Sequence, residues 1–309
     1  MVAASAPFPT EITLTGPWRA PVQMLQEQAG GKGATVHEGE TAAALGLTGA
    51  PIEAPTHFSQ FDPLAVALWD VAWFERGCIS CHFRTMVVEG EEVQATVITT
   101  GGAGACEAHK RDGTPVLAGT VSVGPDHGVS ALDERLAATG DPGPLHIVDQ
   151  VEVGMTVDSD EPVAVDHDTP NGAGYPFSLA EKLAHITEPH PWYTPDGGAG
   201  SPWGRAVLPI EMISVLANKA GGRFPVRGPA LGLFLDLEIR LLEGPVFVGQ
   251  AYSLRREVVA RSQSRRTESY WTRTTLTDVD TGRVAVSVLL HSGVFKESYA
   301  DYPKELLGS

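Results

Sequence analysis

The feature that most narrows the fold of this chain is a plan carried twice. Residues 49–52 lead through Pro55-Thr56-His57 into an apolar stretch, 64–74, then β-rich sequence through Glu89-Gly90 with a turn at Asp112-Gly113. Gly204 leads through Pro209 into a second apolar stretch, 210–220, then β-rich sequence through Glu243-Gly244 with a turn at Thr281-Gly282. The copies lie about 155 residues apart at their helices and drift further apart toward their ends, as longer late strands in the second copy would require. A helix-and-sheet unit present twice implies two halves packed on each other, with ligand sites where they meet.

The stretch 64–74 is apolar on nearly every face, so its helix should be buried on most sides rather than presenting one stripe to a core. Gly77 is its stop signal. Residues 82–88, 92–100 and 116–123 read as strands of the first copy, and 233–241, 247–256, 268–278 and 283–295 as strands of the second. Gly101-Gly102-Ala103-Gly104 has no Lys-Ser or Lys-Thr after it and reads as a loop, not a phosphate cradle. A linker is expected within 126–144, which holds a short helical patch and Gly140-Asp-Pro-Gly-Pro; it divides the chain into units 1–144 and 145–309. Residues 158–174, rich in Asp, Pro and Gly, read as a surface loop.

Composition removes several classes of partner. At 309 residues, 42% hydrophobic and 19% charged, the chain can bury an ordinary globular core. Lys and Arg number 22 against 38 acidic residues, a formal charge of −16, which does not suit a phosphate backbone, so no nucleic acid is expected. The local exception is Arg255-Arg256, Arg261 and Arg265-Arg266, read as decoration on the solvent face of long strands or as a patch facing an anionic substrate tail. No window approaches the ~18 apolar residues of a membrane span. The N-terminus lacks the positive and apolar regions of a secretory leader, so the expected location is cytoplasmic. Three cysteines cannot all pair within the chain. Cys78 and Cys81 have CxxC spacing but sit on an expected strand, where residues three apart face opposite sides; they read as buried reduced thiols. No two histidines show HxH or HxxxH spacing, and neither a metal nor a cofactor is expected.

A long apolar helix wrapped by a strongly β sheet, twice over, points to an α+β double hot-dog architecture of units spanning about 11–125 and 145–300. The stretch Glu188-Pro-His-Pro-Trp-Tyr-Thr-Pro-Asp, followed by Trp203-Gly-Arg-Ala-Val-Leu-Pro-Ile-Glu-Met, resembles the MaoC-like double hot-dog hydratases and dehydratases. Gly49-Ala-Pro-Ile-Glu-Ala-Pro-Thr-His looks like the degenerate equivalent in the first copy. The family motif is an Asp, any residue, Asn-Pro, any residue and a His, which hold a water for addition to, or removal from, an unsaturated thioester. On this sequence the Asp position holds Glu188, the Asn position His190 and the His position Tyr193, while Pro191 is kept. The resemblance therefore implies a lyase in which Glu188, helped by His190, moves a proton beside a carbonyl. Tyr193 would donate to the leaving oxygen, since a phenol is a poor base and a good donor.

Further candidates lie around the helix starts. Backbone N–H groups there can hold an enolate oxygen, which nominates two helix starts, Pro209-Ile210-Glu211 and Pro55-Thr56-His57, although Ile210 stands where relatives have a glycine. Glu211 is either a carboxylate favoured by the helix dipole or the base or nucleophile of a thioesterase. His57, in the first turn of the other helix, is read either as a core histidine or as a catalyst contributed by the first half. Trp192 and Trp203 flank the motif loop and can line a pocket or simply pack; Arg205 can grip an anion or form a surface ion pair. Three functions stay open: a hydratase or dehydratase, a hot-dog thioesterase, and a non-catalytic acyl or small-ligand binder. The expected partner is a small-molecule substrate carried by coenzyme A, by a carrier protein or by neither, and the expected assembly is a monomer or a symmetric homodimer.

Overall fold

The structure, a computed structural model, describes residues 10–26, 28, 35–44, 46, 49–219 and 222–307; Ala220, the last residue of the second expected helix, lies outside them. The first half runs through β1 (Ile12–Thr15), α1 (Gly39–Ala44), a 3-10 segment (Ala54–Phe61), α2 (Asp62–Trp69), α3 (Ala72–Arg76), β2 (Gly77–Phe83), β3 (Val93–Thr99), β4 (Ala103–Lys110) and β5 (Pro115–Val123). Helix α4 (Ala131–Ala137) follows. The second half holds β6 (Thr156–Asp158), α5 (Leu179–His185), α6 (Pro195–Gly198), α7 (Ile210–Asn218), β7 (Gly232–Leu241), β8 (Tyr252–Gln263), β9 (Thr267–Asp278) and β10 (Val284–Phe295).

Among the described residues the strands form one sheet in the order β1-β3-β4-β5-β2-β7-β10-β9-β8-β6, every named pairing antiparallel. Read outward from the β2–β7 seam, the two halves have the same order, and each seam strand follows its own helix. This is the α+β double hot-dog arrangement. The seam registers Cys78 on Arg240 through His82 on Asp236. Strands β8, β9 and β10 have 12 residues each against 7, 8 and 9 for β3, β4 and β5, which explains the drift between the sequence copies.

Both helices and the inner face of both sheet halves share one apolar core. Helix α7 is buried along residues 210–217, as its all-round apolarity requires. The first helix differs from expectation. Burial is complete along 55–61, in the 3-10 segment, whereas α2 leaves Pro63 and Ala67 exposed. The expected single helix over 64–74 is broken at Asp70, whose φ of 51° is positive and ends α2 before α3 begins.

The strand expected at 82–88 lies at Gly77–Phe83, where a continuous buried run crosses the centre of the sheet. Its start is fixed by Gly77, because a Cβ there would lie 2.3 Å from the Trp73 carbonyl oxygen. Strand β4 begins inside the Gly-rich sequence expected to be a loop, and the strand expected at 247–256 is Tyr252–Gln263. The expected surface loop 158–174 is partly tucked in: Val163 bridges to Tyr252, and Val165 and Asn171 are buried. Cys78, Cys81 and Cys106 are free and buried; Cys81 packs in the inner core while Cys78 faces the other side, and burial pushes both thiols up.

The outer face of the seam is covered by α4, the helical patch of the expected linker. Buried Asp236 accepts from His82 Nδ1 at 2.8 Å and His291 Nδ1 at 2.6 Å, and pairs with Arg135 of α4 at 2.7 Å. Leu132 of the same helix packs on Trp271 and Leu289. Of the arginines noted above, Arg255 pairs with Asp158 and Arg266 with Glu297 at the surface, while Arg256 lies against Phe224.

Candidate active site

The start of α7 and the 3-10 segment pack on each other, so the two helix starts bring polar residues from both halves into one buried region. Lys182, on α5, lies between them. Its ammonium donates to Thr56 Oγ1 at 2.8 Å and stands 3.7 Å from Glu53 Oε2 and 3.6 Å from Glu211 Oε2. All four residues are buried. A capping box at Ser178 and Glu181 fixes the start of α5 and thereby aims Lys182 inward. Burial outweighs the nearby ammonium at Glu211 and pushes its carboxyl up to about 8.

Beside this cluster, Asp62 closes the start of α7. Its carboxylate accepts from Trp73 Nε1 at 2.8 Å, from the Tyr193 hydroxyl at 2.8 Å and from the backbone N–H of Ile210 at 3.4 Å. Burial raises the Asp62 carboxyl to about 6, against the pull of those donors. The N-terminus of α7 is therefore already occupied by a carboxylate from the other half.

On the other side of the 3-10 segment lies a cavity of about 560 Å³. Glu53 and His57 line it, as do the polar side chains of His37, Arg84 and Arg223. Its apolar wall draws on Ile52 and Val87 from the first half and on Leu233, Leu235 and Val294 from the second. His57 is 3% exposed, and its Nδ1 has no hydrogen-bond partner; Glu53 Oε1 and both side-chain polar atoms of Gln60 are likewise buried without partners. Burial, aided by the charge of Lys182, depresses the imidazole to about 4, so His57 is neutral at pH 7. Unmet hydrogen-bonding capacity beside a cavity is what a polar ligand group would satisfy.

The motif loop takes a different position. Glu188 is bound in a two-point ion pair by Arg19, at 2.5 and 3.0 Å. His190 caps the short turn that follows by accepting from the Trp192 N–H at 3.2 Å, and partial burial lowers its basicity. His190, Trp192, Tyr193 and Trp203 gather around Phe74, with ring centroids 5.9 to 6.4 Å away. Trp203 also donates to Glu75 at 3.0 Å. Arg205 stacks over Phe247 and donates to Gln250. Pro209 is the residue before α7 and Ile210 donates to Asp62. Of the expected site residues, His57 is the one on the cavity wall; Tyr193, Ile210 and Glu211 lie in the buried region behind it, and Glu188, His190, Trp192, Trp203 and Arg205 stand apart from the cavity.

Sequence reasoning named Thr56 only as part of the Pro55-Thr56-His57 helix start and did not single out Glu53, Gln60, Asp62 or Lys182. Two signals were there to use: Glu53-Ala-Pro-Thr-His57 sets a carboxylate and an imidazole around a proline, as the family motif does, and Lys182 interrupts the apolar face of a capped helix.

No family model matches the sequence, and no curated protein does either. Solved structures do match. A chain described as a MaoC domain dehydratase of Chloroflexus aurantiacus J-10-fl superposes with a TM-score of 0.56 at 14% identity, covering 93% of this chain and 95% of that one. A Mycobacterium tuberculosis protein described as having a double hot-dog fold gives a TM-score of 0.52 at 12% identity, covering 91% and 96%. The chain therefore has the double hot-dog fold found in MaoC-like dehydratases.

Proposed function

We propose that this protein is a hydratase/dehydratase acting beside the carbonyl of an acyl thioester or related activated carbonyl compound, with the reaction at the His57 end of the cavity. The observation that supports this most is a buried, neutral imidazole that shares the lining of one cavity with a buried carboxylate, Glu53. In the dehydration direction the neutral His57 imidazole takes the proton from the carbon next to the carbonyl as the double bond forms. The bond to the leaving hydroxyl breaks, and that oxygen takes a proton delivered by Glu53 and departs as water. Because Asp62 occupies the start of α7, the carbonyl oxygen is assigned to the start of the 3-10 segment instead. The likeness to dehydratases in fold supports the reading only at that level, since function resides in the site.

The division at residues 144/145 fits this assignment, with Glu53 and His57 drawn from the first unit and their buried support from the second. A monomer or homodimer suits a chain whose β2–β7 seam already pairs two units. The test is the ultraviolet loss of an unsaturated acyl thioester, with wild type, His57→Asn and Glu53→Gln side by side. Wild type should consume the substrate, and each variant should be slower by ~100-fold or more. Release of free thiol without hydration would indicate a thioesterase. A thermal shift without turnover would indicate a binding protein, and either result would overturn the proposal.

A further inference from the structure

The Glu53 and His57 side of the cavity has a second layer that the reaction above does not explain. Glu53, Lys182 and Glu211 come from three separate segments, the approach to the 3-10 helix, α5 and α7, yet converge to within 3.7 Å of one ammonium. Two carboxylates and one ammonium in an apolar interior leave one charge uncompensated if both acids ionise, a state that burial strongly disfavours. One carboxyl must therefore hold a proton. The geometry says which. Glu53 lines the cavity, whereas Glu211 does not, and both of its oxygens are buried with the Lys182 ammonium, 3.6 Å from Oε2, as their neighbour.

We propose that these three side chains form one proton-sharing centre, in which Lys182 is the positioning residue that keeps Glu53 charged toward the substrate while Glu211 stores the proton. The proposal rests on the hydratase/dehydratase reading. It supplies what that reading lacks, a source for the proton that an ionised Glu53 must deliver. Lys182 gives a proton to Glu53 and takes one from Glu211, so the ammonium ends unchanged and the stored proton moves to the cavity side. The proton that His57 removes from the substrate restores the store after the product leaves. Thr56, by accepting from the ammonium at 2.8 Å, holds Lys182 between the two acids. Around them, Asp62 acts on Glu211, the phenols of Tyr193 and Tyr175 feel Glu211 and Glu53, and Lys110 acts with Lys182 on His57. Asp62 and Glu53 act on Glu211 in the same sense as burial, favouring its protonated form.

The experiment is a pH titration of the carboxyl carbon-13 resonances of the glutamates in the full, substrate-free chain, paired with pH-rate profiles on an unsaturated thioester. Wild type should show one glutamate titrating near pH 8, a resonance absent from Glu211→Gln. Lys182→Met should move it higher, since the ammonium's charge is lost, while Lys182→Arg should leave it within a fraction of a unit. In the rate profiles Lys182→Met should lose ~100-fold in kcat with KM changed only a few-fold, and Lys182→Arg, which keeps the charge but does not release a proton, should keep the Glu211 titration in place without restoring kcat. The Glu211→Gln and Lys182→Arg variants keep the test decisive if the methionine variant fails to fold. A wild-type chain with no glutamate titrating above pH 6.5, or a resonance unmoved in Lys182→Met, overturns the centre even if the protein turns over thioesters. The expected titration in a chain without turnover keeps the centre and removes the reaction.

Discussion

Replacing Tyr193 by Phe removes one hydroxyl from a place water does not reach, and its cost follows from the carboxylate on the other end of the bond. Tyr193 is 1% exposed, Asp62 3%, and the bond between them is 2.8 Å. In Tyr193→Phe, Asp62 Oδ2 keeps only the Ile210 N–H at 3.4 Å, so a buried oxygen loses its good donor. A hydrogen bond to a charged group contributes ~1.5–3 kcal/mol, so at pH 8, with Asp62 ionised, the loss should be ~2–3 kcal/mol. The phenyl ring fills nearly the same volume, so packing adds little.

The loss should depend on pH in a definite direction. The Asp62 carboxyl is raised from 3.8 to about 6 by burial, so the folded chain binds its proton more tightly than the unfolded chain does. Its contribution to stability is therefore largest at low pH and declines as pH rises from about 4 through about 6. Removing a donor that favours the ionised form pushes the carboxyl higher still, extending the decline by one pH unit for each ~1.4 kcal/mol. Urea unfolding of wild type and Tyr193→Phe at pH 5, 6.5 and 8 should show a gap widening from ~1 to ~2–3 kcal/mol. A gap that is constant, that narrows with pH, or that stays below ~0.5 kcal/mol at pH 8 would show that the hydroxyl does not serve an ionised Asp62.

Glu188→Gln should weaken the half-exposed ion pair to Arg19, costing ~0.5–1 kcal/mol in urea unfolding, and leave turnover within ~3-fold, whereas a ~100-fold loss would return the catalytic base to the motif loop. Gly119→Ala would put a Cβ 1.9 Å from the Ser80 carbonyl oxygen, forcing β5 away from β2; a destabilisation of ~3 kcal/mol or more is expected, and an unchanged melting temperature would contradict it. His57 is depressed from 6.5 to about 4, so the unfolded chain protonates first and stability falls by up to ~3 kcal/mol as pH drops through that window. His57→Gln should remove that part of the acid sensitivity, which unfolding at pH 4.5 and pH 7 would reveal. Asp236→Asn leaves Arg135 without a buried carboxylate, and the amides of α4 should exchange hydrogen faster than in wild type; unaltered protection would refute its role in docking that helix.

The fold was legible because its strongest determinants are local and repeated. An all-apolar stretch such as 210–217 has no face that tolerates water, and two such stretches with equal β-rich sequels leave few architectures open. What local pattern could not show was where the first helix breaks, since Asp70 ends α2 within an apolar run that reads as continuous. Strand β4 was hidden for a related reason. Its first residues are Ala and Gly, poor strand formers taken up because the neighbouring strand leaves no room for a Cβ at Gly104. The site was half legible: His57 and Glu211 stand out as polar residues at the starts of apolar helices. Their partners do not, because Lys182 lies 126 residues from Thr56 in sequence and meets it only through the packing of the two halves.

The repeated plan also shows how the halves have diverged around one axis. Pro55-Thr56-His57 and Pro209-Ile210-Glu211 occupy equivalent places at the two helix starts, so the buried first-turn position is an imidazole in one copy and a carboxyl in the other. The copies differ in what stands in front of them. At α7 the space is filled by Asp62, Trp73 and Tyr193, which consume one another's hydrogen bonds. At the 3-10 segment it is open to a cavity lined by His57 and Glu53, each of which also holds one buried polar atom without a partner. The Asp62 carboxylate, bonded to Trp73, Tyr193 and Ile210, has nothing left to bind with, and the unpartnered oxygens of Glu211 beside it lie away from the cavity. On the proposed reading, chemistry belongs to the first-half helix start, while the second half contributes part of the chamber wall and the buried acid behind it.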